Sequence, residues 1–203
     1  MDSIFGIVGK DFVLLAADCK VARSILVYKD DEDKSIHLDN SKVMVTSGPQ
    51  SDRLAFSEYI QKNMKLYELR NGVQLNGAAT AHYVRNELAR FLRRAPYQVN
   101  LLIGALDTSR QEPNNNNHKM EPSLYWIDYL GAMTKVNYGA HGYGAHFCLS
   151  IFDREFKQDM TLDEAKDVLK KCRAELEMRF LVRNGQWAYS LIDASGISQV
   201  KID

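Results

Sequence analysis

Short apolar runs of strand length occur in pairs along this chain, and pairs of helix-like segments separate them. Residues 3–9 and 12–18 form the first pair, in which Lys10-Asp11 is the tight connection. The full order is strands, two helices, two strands, two helices and a final strand pair. Antiparallel strand pairs must bury a face against another layer. The order therefore predicts an α+β fold in which sheets lie between helix layers.

The other strands follow from apolar runs that turn signals interrupt. The run 99–107 is continuously apolar, which is typical of a central strand. The glycine-rich stretch 137–145 is predicted to be a turn. The remaining strands are predicted at 24–28, 34–38, 42–47, 123–131, 187–193 and 197–202.

Four helices are predicted from apolar periodicity and end signals. The first runs from a cap at Ser51 or Asp52 to about Arg70, and Asn71-Gly72 ends it. Asn76 caps the second, over about 77–93, and the third covers about 143–153. The pattern Thr161-x-x-Glu164 is a capping box that opens the fourth helix, which extends to about Val182.

Length and charge limit the classes of protein to consider. The 203 residues favour a single domain, 1–203, with 108–122 as a surface loop insertion that contains the asparagine run 114–117. Charges balance at 26 basic and 26 acidic, which argues against nucleic acid or an anionic membrane as a partner. The longest apolar runs, such as 12–17, are too short to span a bilayer.

The cysteines indicate a reducing compartment. Cys19, Cys148 and Cys172 are widely spaced, and no basic segment precedes the first apolar run as in a secretory signal. We therefore expect cytoplasm or nucleus. Cys19 directly follows Asp18, and a buried strand residue is the favoured interpretation over a reactive thiol.

Several stretches carry a family resemblance: EYIQKN at 58–63, Leu69-Arg70-Asn71-Gly72, PYQVNLLI at 96–103, AHGYGA at 140–145 and Asp153-Arg154. With the element order, they make the chain resemble a proteasome beta subunit over about residues 3–200. The similarity is greatest to the beta type-2 branch, at the beta-4 ring position. The resemblance implies the four-layer αββα sandwich of N-terminal nucleophile hydrolases.

In catalytic members of that family, an N-terminal threonine attacks the peptide carbonyl. Its amino group, a lysine and an aspartate prepare the attack, and a backbone N–H beside a glycine stabilises the oxyanion. By resemblance, the aspartate, lysine and glycine fall on Asp18, Lys34 and Gly48, so these three relic positions survive. Other positions of the catalytic pattern are replaced, and they are Asp2 at the threonine, with Tyr143, Phe180 and Arg183 elsewhere.

The replaced nucleophile predicts a chain that does not catalyse by itself. A carboxylate at Asp2 has no proton for a base to remove, Met1 blocks the terminus, and no propeptide is apparent. Ser3 is displaced by one residue, which sends its side chain to the opposite strand face. Asp18 and Lys34 are then expected to form a structural ion pair.

Neither a cofactor nor a metal ion is expected. His141 and His146 are five residues apart without a third ligand, so hydrogen-bonded structural histidines are favoured over a metal pair. Gly142 and Gly144 lack the strand and acidic partner of a dinucleotide site, which favours a packed turn.

The resemblance also implies partners. The chain would take one place in each seven-membered beta ring of the 20S core particle. It would contact neighbouring beta subunits, the alpha ring and the opposite beta ring, around a chamber that holds protein substrates. The segment 21–33 is predicted to be an inter-subunit surface, with a basic cluster at the end of the second helix, and the residues chosen are Val21, Ser24, Leu26, Tyr28, Arg93 and Arg94.

Two alternatives stay open. One is an autonomous N-terminal nucleophile amidohydrolase that uses Ser3 after trimming, or a cysteine. The other is an alpha-type gate subunit, against which the missing segment before the first strand argues. The short end at Asp203 is expected to limit any tail contact across rings.

Overall fold

The computed structural model describes residues 2–23, 26–108, 120–180 and 185–202. The strands are β1 Ser3–Val8, β2 Val13–Asp18, β3 Val21–Arg23, β4 Leu26–Lys29, β5 Ser35–His37, β6 Lys42–Ser47, β7 Asn100–Thr108, β8 Met120–Ile127, β9 Met133–Val136, β10 Tyr138–Gly142, β11 Trp187–Asp193 and β12 Gly196–Gln199. The helices are α1 Gln50–Asn71, α2 Gly77–Phe91, α3 Tyr143–Glu155 and α4 Leu162–Arg179.

Two five-stranded antiparallel sheets form the centre of the fold. The first has the strand order β10-β1-β2-β11-β12, and the second has the order β5-β6-β7-β8-β9. Strands β3 and β4 form a separate two-stranded sheet. The continuously apolar β7 is the middle strand of the second sheet, as its sequence predicts.

Alternation along the strands divides the core into three clusters. On β1, Ile4 contributes to the cluster between the two sheets, whereas Phe5 packs with α3 and α4 on the outer face of the first sheet. Met44 on β6 packs with α1 and α2 on the outer face of the second sheet. Because successive strand side chains point to opposite faces, each sheet is covered on both sides. The result is the predicted αββα sandwich.

The helix ends set by local sequence are confirmed. The Asn76 side chain accepts a hydrogen bond from the Ala79 N–H, and Thr161 and Glu164 form the reciprocal capping box. Gly72 ends α1 with φ of 67°, a left-handed conformation that glycine adopts without steric cost.

Two local predictions are wrong because distant contacts decide them, and two strands were not predicted. Helix α1 has Pro49 at its N-cap without a side-chain cap, and Asp52 instead accepts a hydrogen bond from the Gln98 N–H. The stretch 137–145 is not a turn, because β10 pairs with β1 across Ser3 to Ile7 before α3 begins. Strands β3 and β9 had no counterpart among the predicted strands.

The predicted loop insertion lies mostly outside the described residues, since β7 ends at Thr108 and β8 begins at Met120. The asparagine run 114–117 falls in that gap. None of the helices within the described ranges is long and apolar enough to cross a membrane.

Candidate functional site

Strand ends from both sheets converge on one cluster of charged side chains. Asp2 directly precedes β1, Asp18 ends β2, and Lys34 directly precedes β5. Gly48 follows β6, and Arg53 lies in the first turn of α1. The three positions that the family resemblance assigns to the aspartate, lysine and glycine are therefore brought together with Asp2.

Lys34 is the centre of the cluster. Its Nζ donates to Asp2 Oδ1 at 2.8 Å, to Asp18 Oδ2 at 2.9 Å and to the Lys20 carbonyl at 2.8 Å. An ammonium group has three N–H donors, so all of them are engaged. The side chain is fully buried, and Asp18 also accepts from the Ser3 N–H at 2.7 Å. The predicted ion pair of Asp18 and Lys34 is present, and the Asp2 carboxylate is a second partner of Lys34.

The other oxygen of Asp2 faces Gly48. The Gly48 N–H donates to Asp2 Oδ2 at 2.8 Å, and Arg53 Nε lies 3.4 Å from the same oxygen. Gly48 has φ of 140°, and a Cβ there would lie 2.2 Å from the Gln98 carbonyl oxygen. Only glycine therefore presents this N–H toward Asp2 without a backbone shift.

Arg53 and Glu32 belong to the site although sequence reasoning missed them. Arg53 Nε donates to the Gly48 carbonyl at 3.0 Å, and its Nη2 contacts Glu32 Oε1 at 2.8 Å. Gln50 Nε2 donates to the other Glu32 oxygen. Glu32 is thus half-buried and paired, although it lies in a stretch of charged residues. No local pattern marks the pair, because the two residues lie 21 positions apart.

Electrostatics distinguish the two carboxyl groups. Burial acts to raise the pKa of Asp2, but the Lys34 charge and the Gly48 N–H outweigh burial and hold that pKa below its ordinary value. Burial instead raises the pKa of Asp18, against the attraction of Lys34. The pKa of Asp2 is therefore lowered and that of Asp18 is raised, although both carboxyl groups contact Lys34.

A cleft of about 530 Å³ opens above Asp2. Val21, Tyr28, Gly48 and Tyr143 line it together with Arg53. Tyr143 begins α3 and is 55% exposed, so its ring stands at the rim. The floor of the cleft thus presents a carboxylate that already has hydrogen-bond donors on both oxygens.

The other replaced positions lie elsewhere. Phe180 follows α4 and packs edge-on against Phe147 at 5.4 Å, within the cluster under α3 and α4. Ser3 is fully buried, with its Oγ against Gly144 beneath α3. Arg183 lies outside the described residues, as does Met1.

The residues predicted to contact neighbours differ in placement. Leu26 and Tyr28 on β4 are 59% and 66% exposed, and Arg93 and Arg94 are exposed after α2. Val21 is half-buried at the cleft, and Ser24 lies outside the described residues. Exposure is compatible with an interface, and these assignments stay predictions.

Within the described ranges, no group of three or more His, Cys, Asp or Glu side chains is placed to hold a metal ion. Burial, with Asp33 and Asp18 nearby, raises the pKa of Cys19 to about 11, so its thiol is protonated at neutral pH. A protonated thiol is a poor nucleophile.

Removal of the Asp2 carboxylate should lower stability. In Asp2→Ala the Gly48 N–H loses its acceptor and Lys34 loses one of two counter-ions, so we expect the free energy of unfolding to fall by about 1–3 kcal/mol. Asp2→Asn, which can still accept from Gly48, should lose less. Denaturant unfolding of the three proteins measures this, and an Asp2→Ala protein as stable as the parent would contradict a structural role for the carboxylate.

Comparison with known proteins gives the family. The sequence profile described as "Proteasome subunit" matches residues 2–187. The chain is 42% identical over 196 residues to "Proteasome subunit beta type-2" of Oryza sativa subsp. japonica, covering 97% of this chain and 88% of the relative. It is 41% identical over 201 residues to "Proteasome subunit beta type-4" of Saccharomyces cerevisiae, covering 98% and 97%. The corresponding identity to "Proteasome subunit beta type-2" of Dictyostelium discoideum is 38% over 197 residues, covering 97% and 96%.

The matches span nearly the whole chain. Together with the two-sheet sandwich and the Asp18, Lys34 and Gly48 cluster, they define an N-terminal nucleophile hydrolase scaffold. The chain belongs to the proteasome subunit family, among its beta subunits.

Proposed function

We propose that this chain is a non-catalytic structural subunit of the 20S proteasome core. It forms one domain and completes the beta ring in which other subunits hydrolyse peptide bonds. The observation that supports this most is the state of the nucleophile position. Asp2 stands there, and its carboxylate accepts from Lys34 on one oxygen and from Gly48 on the other.

Peptide cleavage in this family requires a hydroxyl nucleophile, an oxyanion donor and a lysine. Asp2 replaces the first and accepts hydrogen bonds from the other two. A hydroxyl nucleophile attacks as a base takes its proton, whereas Asp2 offers no hydroxyl, and its carboxylate oxygens accept hydrogen bonds from Lys34 and Gly48. A developing oxyanion needs a free N–H donor, whereas the Gly48 N–H already has an acceptor. Lys34 is engaged by three acceptors. The cluster therefore fits a role in holding strand ends together.

The structural role would consist of positioning neighbours. We infer contacts with neighbouring beta subunits, the alpha ring and the opposite beta ring, in particles of the cytoplasm and nucleus. The exposed apolar side chains of β4, above all Leu26 and Tyr28, fit a surface that a neighbour covers. Small displacements of the catalytic groups in a neighbouring subunit can strongly change its rate of peptide cleavage.

The test is made on particles purified from the cells that make this chain. We expect the chain in a particle of many hundreds of kilodaltons, unlabelled by a threonine-directed electrophilic inhibitor that labels companion beta subunits. Labelling is read by intact-mass spectrometry of each subunit. A covalent adduct on this chain, or peptidase activity in a small free species, would instead favour the autonomous amidohydrolase that uses Ser3 or a cysteine.

A further inference from the structure

A second cleft lies at the start of α2, beside the Asp107 end of β7, whereas the charged cluster lies near the other end of that strand, where Ser47 pairs with Asn100. It measures about 590 Å³, and strands β7, β8 and β9 contribute side chains to it. In the register of β7 and β8, Ala105 is opposite Ser123 and Asp107 is opposite Glu121. Directly opposed residues of neighbouring strands share a face. The apolar face that packs under α2 thus ends in a polar cleft.

Two carboxylates therefore stand directly opposite each other. Like charges at such a position repel. Asp107 accepts from the Gly77 N–H, at 2.9 Å and 2.8 Å for its two oxygens, which anchors the start of α2. Among the described residues, Glu121 pairs with Lys135 alone, at 3.4 Å, and both of those side chains are more than half exposed. The described residues that line the cleft include two acids and one base, and their net charge is negative.

Ser123 is an independent indication that the cleft binds a ligand. Its side chain is 3% exposed, and among the described residues its Oγ has no hydrogen-bond partner. A Cβ on Gly77 would lie 3.1 Å from that Oγ, so the hydroxyl points at the helix start beside Asp107. A buried hydroxyl without a partner has a cost in free energy that a hydrogen-bonding ligand would remove.

The chemistry of these groups selects the ligand. They supply carboxylate, hydroxyl and amide acceptors, with Asn76 at the helix start and Tyr125 on the wall. A metal ion would need more anionic ligands, and the described residues contain no metal-binding group of three His, Cys, Asp or Glu side chains. A guanidinium group presents several N–H donors in one plane and binds carboxylates with two parallel hydrogen bonds.

We propose that this cleft, between Asp107, Glu121 and Ser123, binds an arginine side chain of a partner protein. The guanidinium lies between the two opposed carboxylates, relieves their repulsion and displaces Lys135 from Glu121. That the partner is a neighbouring proteasome subunit rests on the proposed function, whereas binding of the guanidinium group does not.

The cleft is tested on the full-length chain labelled with nitrogen-15. N-acetyl-arginine amide is titrated, and amide chemical shifts are followed. We expect saturable shifts at Gly77, Asp107 and Ser123. N-acetyl-citrulline amide has the same shape without the charge, and magnesium chloride tests a metal ion. Neither is expected to produce those shifts.

Two variants are expected to change the affinity for the arginine amide in opposite directions, which makes the test specific. Glu121→Gln is expected to weaken binding of the arginine amide about tenfold, because one charge-assisted contact is lost. Lys135→Gln should tighten binding about two- to fivefold, because it removes a competitor that forms an exposed ion pair. General damage to the fold cannot tighten binding. Glu177→Gln, at an exposed ion pair on α4, is the matched control and should leave binding unchanged.

Three results would overturn the proposal. They are the absence of saturable shifts with the arginine amide, an equal response to the citrulline amide or to magnesium, and weaker binding by Lys135→Gln. The partner is tested by incorporation of Glu121→Gln into the particle. Normal incorporation of a variant that has lost arginine-amide binding would remove the neighbouring subunit as occupant. Absence of the unaltered chain from any particle would instead overturn the proposed function.

Discussion

Lys34→Ala is expected to lower the free energy of unfolding by about 3–5 kcal/mol, because it removes the lysine that neutralises the buried Asp18 carboxylate and leaves Asp2 with Arg53 at 3.4 Å. The fully buried ammonium also donates to the Lys20 carbonyl, so three acceptors lose this donor in the variant. Denaturant unfolding of the full chain measures the loss. In the assembled particle, a smaller amount of incorporated subunit is expected, and the variant chain should have no direct effect on the chemistry of cleavage.

A matched control and a rescue separate the buried ion pair from the loss of a long side chain. Lys62→Ala removes an exposed lysine that pairs with Glu58 on α1, and it should leave stability unchanged within error. The double variant Lys34→Met with Asp18→Asn also removes the buried Asp18 charge. It should therefore recover part of the lost stability. Equal stability of Lys34→Ala and Lys62→Ala would contradict the importance of the buried pair.

Stability is expected to fall by about 3 kcal/mol between pH 6.5 and pH 4 because of His141 alone. His141 is 5% exposed and stacks on Trp126 at 4.4 Å. Burial lowers its pKa from 6.5 to about 4. Between those values the unfolded chain binds a proton that the folded chain does not, so unfolding becomes easier as the pH falls. Above pH 6.5 the effect of this group vanishes.

The measurement is the slope of unfolding free energy against pH for the parent and for His141→Gln. The variant should have a shallower slope in that window, whatever its stability at neutral pH. His146→Gln, the same substitution at an exposed histidine of α3, is the matched control. Identical slopes in all three proteins would show that His141 titrates normally in the folded chain.

Local sequence predicted those features whose partners lie close in the chain. The Asn76 cap and the Thr161 capping box each involve residues three positions apart, and β1 and β2 are continuously apolar runs of strand length. By contrast, Asp52 failed as a cap because its carboxylate contacts Gln98, 46 positions away. The stretch 137–145 reads as a turn by composition, and only its pairing with β1 makes part of it a strand.

The candidate site follows the same division. The resemblance located Asp18, Lys34 and Gly48, and the strand ends bring them together with Asp2. It did not indicate that Asp2 would accept from both Lys34 and Gly48, since that depends on side-chain geometry across two sheets. Arg53 and Glu32 were missed because ordinary charged residues give no pattern until the fold places them in contact.

The small sheet of β3 and β4 has a consequence for gene dosage. Leu26, Val27 and Tyr28 are 59%, 49% and 66% exposed on a two-stranded sheet, whose outer edges pair with no other strand of the described residues. A copy synthesised in excess of its neighbours presents this apolar edge to every other nascent chain. Surplus copies are therefore candidates for aggregation or for removal by quality control, and the cell gains by making this chain in strict proportion to its companions.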